Sequence, residues 1–140
     1  MTTELLAPAG GQEALVAAVQ SGADAVYMGF GAFNARRSAR NFSDEEFRAA
    51  VSYCHLRGVK VYLTLNTLVT DRELPALAAE ARTASECGVD AILVQDWGVL
   101  ATLQKIIPDV PLHASTQMSL HTLSGVKESA RLGMTRAVLA

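Results

Sequence analysis

The sequence predicts an α/β fold: a parallel (β/α) barrel of TIM type, incomplete here at about six strands and five helices. Three observations predict it. Short apolar runs alternate with stretches of helical spacing. The strand-like runs are almost continuously apolar, as in a parallel sheet covered by helices. Glycines at 22, 58, 88 and 133 each stand between a helical stretch and the next apolar run, where a helix needs a left-handed closing residue.

Taken in order, the expected strands are Glu4 to Ala7, Ala25 to Gly29, Lys60 to Asn66, Ala91 to Asp96, Leu112 to Gln117 and Arg136 to Ala140. The expected helices between them are Gly11 to Ser21, Asp44 to Arg57, Leu74 to Cys87, Trp97 to Ile107 and Ser119 to Leu132. Ser43 followed by Glu46 reads as a capping box. Pro75 suits a first helical turn, where its missing N–H costs little. A weak internal repeat underlies the pattern: Gly22-Ala23-Asp24-Ala25-Val26 matches Gly88-Val89-Asp90-Ala91-Ile92.

An open doubly wound sheet is the competing architecture. Its dinucleotide fingerprint fails, because Gly29-Phe30-Gly31 begins the motif but Asn34 stands where the third glycine belongs. The barrel is therefore favoured. A full barrel takes about 250 residues, so residues 1–140 are expected to be the N-terminal part of one barrel domain, with the remainder and a C-terminal region beyond it. The edges beside the first and sixth strands would then stand open, and a homo-oligomer through that open edge is expected.

Half the residues are hydrophobic and 19% are charged, which excludes a disordered chain. The net charge of -2 gives no global basic field of the kind that nucleic-acid binders use. No apolar run reaches the ~18 residues that span a bilayer, so no membrane span is expected. The start lacks the basic region of a secretory signal. Cys54 and Cys87 form no CxxC pair, so they suggest a reducing compartment, with a cytoplasmic location the default, and no local metal site.

Specific words now stand in the pattern. Glu4-Leu5-Leu6-Ala7-Pro8-Ala9-Gly10 opens the chain, and Gly22-Ala23-Asp24-Ala25-Val26-Tyr27-Met28-Gly29 follows one helix later. Arg36, Ala39, Asn41-Phe42-Ser43 and Ser115-Thr116-Gln117 come next, in order. Together they resemble the N-terminal region of the collagenase-like peptidase family, peptidase family U32, over essentially the whole chain. The resemblance implies a parallel α/β barrel with C-terminal additions and a nominal peptidase (hydrolase) activity of bacterial type. It also implies an alternative: oxygen-independent hydroxylation of RNA bases or of ubiquinone, with prephenate implicated. In that alternative a 4Fe–4S cluster is held by cysteines downstream of the sixth strand. Cys54 and Cys87 do not match those ligands, so no cofactor is expected within this chain.

In a barrel the chemistry gathers at the carboxyl ends of the strands. Asn66 ends the third expected strand, on the face of Tyr62 and Thr64. Gln117 ends the fifth, on the face of His113 and Ser115, with Thr116 beside it. Asp96 closes the fourth, either as a general base or ligand-binding carboxylate or as the cap of the next helix. These three strand ends supply the substrate-binding candidates Asn66, Asp96 and Gln117. The resemblance adds Arg36 and Asn41, in a long loop whose Arg36, Arg37 and Arg40 suit a carboxylate, a phosphate or an RNA backbone. Tyr27, His113 and Thr116 are weaker candidates, His113 reading as a satisfied interior histidine and Tyr27 as a core tyrosine. Glu4, at the opposite end, reads as a buried ion pair at the barrel bottom. His55 and His121 read as surface or core filling. No catalytic residue can be named and no metal site is expected.

The sequence supplies no nucleophile with a base. Peptide hydrolysis therefore rests on resemblance, hydroxylation is the alternative, and a non-catalytic binding or scaffold piece is a third. The expected partners are an anionic small molecule, a peptide or RNA.

Overall fold

The computed structural model describes residues 3–35 and 42–140. The chain runs β1 (Leu6–Pro8), α1 (Gln12–Gln20), β2 (Ala25–Met28), α2 (Asp44–His55), β3 (Lys60–Leu65) and α3 (Leu74–Cys87). It continues through β4 (Ala91–Val94), α4 (Trp97–Ile106), β5 (Leu112–Ala114), a 3₁₀ turn (Thr116–Met118), α5 (Leu123–Arg131) and β6 (Arg136–Ala137). The six strands form one sheet in sequence order, and every neighbouring pair is parallel. The sheet curls into a TIM-like half-barrel: Glu4, just before β1, reaches across to Arg136 on β6.

The alternation along the strands gives the sheet two different faces. Val61, Leu63 and Leu65 of β3 point outward and pack with Leu15, Phe47 and Leu77 of the helices in the main core. The inner face carries smaller or polar groups, with Ala25, Ala91 and Leu93 packed around Tyr62. Ala25 and Ala91 leave room on the inner face for the Tyr62 ring between them. Phe47 is fully buried and its ring stacks on Phe30 at 4.5 Å; truncating such a residue to alanine costs about 3–5 kcal/mol.

The local signals hold. Ser43 and Glu46 form the capping box, and Pro75 lies in the first turn of α3. Gly88 closes α3 at φ 81°, and Gly22, Gly58 and Gly133 share its left-handed region. The repeat has a mechanical meaning. Asp24 accepts the Leu5 N–H at 2.7 Å and Asp90 accepts the Val61 N–H at 2.7 Å, so each carboxylate pins the start of the preceding strand.

Several strands end earlier than the apolar runs suggest. The fourth stops at Val94 because Asp96 turns to cap α4. The fifth stops at Ala114 because the Ser115 hydroxyl takes the Gln117 N–H and turns the chain. The fifth helix, expected from Ser119, begins at Leu123: Ser119 is left-handed (φ 57°), and Thr122 caps the helix through Gly125. The sixth strand is Arg136–Ala137 and not Arg136 to Ala140, since Ala140 N–H leaves the ladder for Leu120 O. The first is shifted from Glu4–Ala7 to Leu6–Pro8, because Asp24 claims the Leu5 N–H.

Candidate functional site

A pocket of about 310 Å³ opens at the carboxyl ends of the strands, on the inner face of the sheet. Its polar wall is built around Asn66. Leu65 pairs with Val94, and Val94 with Ala114, so Asn66 and Ser115 stand at one level on either side of β4. The curl lets them meet. Asn66 Nδ2 donates to Ser115 Oγ at 3.1 Å, and Asn66 Oδ1 accepts the Ala35 N–H at 3.0 Å. The Ala35 contact fixes which way the amide faces, since its oxygen must meet an N–H. Below them Thr64, 9% exposed, donates its hydroxyl to Met28 O at 3.2 Å. Leu6, Leu93 and Val138 make the apolar wall, and Tyr27, Thr116 and Gln117 complete the lining. None of the described lining residues is Asp, Glu, Lys, Arg or His.

Four of the residues expected from the sequence therefore come together: Asn66, Gln117, Thr116 and Tyr27. Asp96 turns away from them, its Oδ1 accepting the Gly98 N–H at 2.7 Å and the Val99 N–H at 3.1 Å at the start of α4. His113 lies deeper, edge-on to the Tyr62 ring at 5.0 Å, and burial pushes its imidazole down to about 4. Arg36 and Asn41, with Arg37 and Arg40, lie outside the described residues. Two polar lining residues were not singled out, Ser115 and Thr64. The alternation in β3 and β5 had placed both on the polar face, so the signal was present but was spent on the strand ends.

Glu80 of α3 carried no sequence signal at all. Its Oε2 accepts the Ala32 N–H at 3.2 Å, steadying the segment after β2 whose Ala35 Asn66 also holds. Its Oε1 is buried without a hydrogen-bond partner. Burial raises the carboxyl to about 7, with the Asp44 charge adding to the rise. Gly31 (φ +66°) holds the left-handed conformation that favours glycine, and a Cβ there would stand 2.2 Å from Glu80 Oε2 and displace that carboxylate. A larger hollow of about 510 Å³ lies over the start of α1, lined by residues such as Gly10, Gly11, Phe42 and Glu46. Its lining is loop and helix starts, without the convergent strand-end donors of the inner pocket.

The family model described as Peptidase family U32 matches residues 10–140. The chain belongs to this family. It is 40% identical over 139 residues to the 23S rRNA 5-hydroxycytidine C2501 synthase of Escherichia coli, covering 98% of this chain and 20% of that protein. It is 36% identical over 137 residues to the tRNA hydroxylation protein P1 of Bacillus subtilis, covering 98% of this chain and 32% of that protein. It is 33% identical over 129 residues to the Collagenase of Porphyromonas gingivalis, covering 91% and 31%. The chain thus spans between a fifth and a third of these relatives' lengths. The solved structure of the U32 peptidase Mk0906 superposes with a TM-score of 0.78 at 18% identity, covering 99% of this chain and 58% of that one. Phosphonopyruvate hydrolase gives a TM-score of 0.65 at 19% identity, covering 98% and 53%. Both structures bear on the fold alone.

For this U32 chain, the thiols do not fit a cluster. Cys54 is buried on α2, where burial pushes its thiol up to about 11, and burial likewise raises Cys87 at the end of α3. Both lie on the outer helices, away from the inner pocket. Among the described residues no group of three or more His, Cys, Asp and Glu is disposed to hold a metal ion. Nor is any Ser, Thr or Cys side chain among them hydrogen-bonded to a histidine: His55 meets Asp90, and His121 meets Ala140 O. No helix among the described residues is long and apolar enough to cross a membrane.

Charge gathers instead at the amino ends of the strands. Glu4 accepts from the Tyr62 hydroxyl at 2.9 Å and from Arg136, and Lys60 Nζ stands 3.6 Å away. The Arg136 hydrogen bond holds the Glu4 carboxyl below its ordinary range. This is the ion pair expected at the barrel bottom.

Proposed function

We propose that this chain forms part of an RNA-hydroxylation protein and that its inner pocket receives the nucleobase. The observation that carries the proposal is the neutrality of the described lining: amide, hydroxyl and apolar groups line about 310 Å³, and no described lining residue is charged. That chemistry suits a neutral heterocycle, which needs hydrogen bonds at its edge and apolar contact on its faces. The names of two relatives, an rRNA 5-hydroxycytidine synthase and a tRNA hydroxylation protein, favour RNA as the source of the base. A cytoplasmic location accords with RNA as substrate and with two free thiols.

The residues described here bind and orient a base. Asn66 and Ser115 hold one wall rigid through their mutual hydrogen bond, and Leu6, Leu93 and Val138 exclude water from the other. The oxidative chemistry would fall to a 4Fe–4S cluster whose ligands the resemblance places downstream of Ala140.

Peptide hydrolysis is the second reading, favoured by the Collagenase relative and the family's description. It needs a nucleophile with a base, or a metal, and Ser115 Oγ meets only N–H donors. Mass spectrometry of rRNA and tRNA from cells with and without the gene tests the proposal. A pyrimidine carrying one extra oxygen should vanish with the gene, while the purified protein leaves gelatin intact. Cleavage of gelatin that a pocket substitution abolishes, with unchanged RNA, would overturn it.

A further inference from the structure

Two hydroxyls of the inner pocket, those of Ser115 and Thr64, are already committed on one side each, and in opposite senses. Ser115 Oγ accepts two N–H bonds, from Asn66 Nδ2 at 3.1 Å and from the Gln117 backbone at 3.3 Å. A hydroxyl has two acceptor lone pairs and one hydrogen. Both lone pairs of Ser115 are engaged, so what it offers the pocket is its hydrogen. Ser115 is 1% exposed, and a buried hydroxyl hydrogen without a partner is costly. Thr64 is the reverse. Its hydrogen goes to Met28 O at 3.2 Å, so what remains toward the pocket is its lone pairs.

We infer that Ser115 and Thr64 read the hydrogen-bonding edge of the bound base, Ser115 as a fixed donor and Thr64 as a fixed acceptor. The inference rests on the nucleobase reading above and assigns the polarity of the edge that reading leaves open. The ligand must place an acceptor against Ser115 and a donor against Thr64. A base offers both roles along its edge, as in the ring nitrogen and amino group of cytosine. Neither hydroxyl can reverse its role cheaply. Ser115 would have to release the Asn66 amide, which the Ala35 N–H holds in place, and Thr64 would have to abandon Met28 O. A phosphate or carboxylate could satisfy Ser115 but would repel the lone pairs of Thr64, so these two hydroxyls together favour a neutral ligand edge.

The test titrates the intact protein with three RNA hairpins that differ at one unpaired position. The position holds cytidine, the pyrimidin-2-one ribonucleoside, which keeps the ring acceptor but lacks the amino donor, or an abasic sugar. The unaltered protein should prefer cytidine to pyrimidin-2-one by roughly three- to tenfold, the worth of one hydrogen bond. Thr64→Val, isosteric but without an acceptor, should bind those two alike. Ser115→Ala should keep that ratio and lose a similar factor between pyrimidin-2-one and the abasic hairpin. Ratios between hairpins are insensitive to the folded fraction of a variant, and Thr64→Val carries the test if Ser115→Ala does not fold. If the unaltered protein prefers bases to the abasic site but either folded variant leaves its own ratio unchanged, the assignment of donor and acceptor is overturned and the base reading stands. If the unaltered protein binds all three hairpins alike, both fall.

Discussion

At the amino ends of the strands this half-barrel is held by charge, and at the carboxyl ends it is lined by neutral amides and hydroxyls. Glu4, Tyr62, Lys60 and Arg136 tie the region before β1 to β3 and β6, across the hollow of the sheet. Asn66, Ser115 and Thr64 occupy the same inner face at its other end. The difference teaches where to look. Among the described residues the ion pairs that cross the sheet mark the end that holds it in shape, and the candidate pocket is lined without charge at the other. A search guided by carboxylates and histidines alone would go to His113 and Glu4, at the wrong end.

The comparison can be broken first at His113. Its folded imidazole titrates near 4, against an ordinary value of 6.5. Between those values the unfolded chain binds more protons, so stability is full above about pH 6.5 and falls as the pH drops toward 4. The loss should reach about 3 kcal/mol. Urea unfolding across that range, set beside His113→Gln, measures it: the variant should lose less stability on acidification. Equal slopes would show that His113 is not held neutral by burial.

Glu4→Ala should come next, costing about 2 kcal/mol by stripping Arg136 and Tyr62 of a charged acceptor. The figure is kept low because the Arg136 side chain is 38% exposed. Since Arg136 depresses the Glu4 carboxyl, this contribution is present above pH 4.5 and lost as the pH falls through its folded value. Binding of RNA at the pocket should survive the substitution wherever the protein remains folded. A selective loss of binding at full stability would erase the division between the two ends.

The smallest effect is expected at Asp96, which sits among the strand ends but serves its helix. Asp96→Ala should cost about 1 kcal/mol in unfolding free energy, and Asp96→Asn much less, because asparagine can cap equally well. RNA affinity should not change in either. A fall in affinity in the asparagine variant, with its unfolding midpoint unmoved, would return Asp96 to the site.

The parallel strand–helix order was legible because each period is local: β3 alternates Tyr62 and Thr64 against Val61, Leu63 and Leu65, and Gly88 stops a helix wherever the chain must turn left-handed. Asn66 and Gln117 were legible as polar residues ending apolar runs. Their partners were not. Ser115 was legible only as a polar residue on the face of His113 and Gln117, because that spacing is visible in sequence and its hydrogen bond to Asn66, 49 residues away, is not. Glu80 reaches Ala32 across 48 residues with no motif at either end.

By itself the sequence determined the fold class, the family words, the capping box of α2, the glycines that close the helices and which face of β3 and β5 is polar, since all of these follow from neighbours within a turn or a strand. Only the tertiary structure decided which polar residues share a pocket, that Asp96 caps its helix, and which hydroxyl is left as donor and which as acceptor. Those outcomes depend on the curl of the sheet, which brings β3 and β5 into contact over β4. A hydrogen bond goes to the partner that the fold brings within reach, and sequence distance carries no record of it.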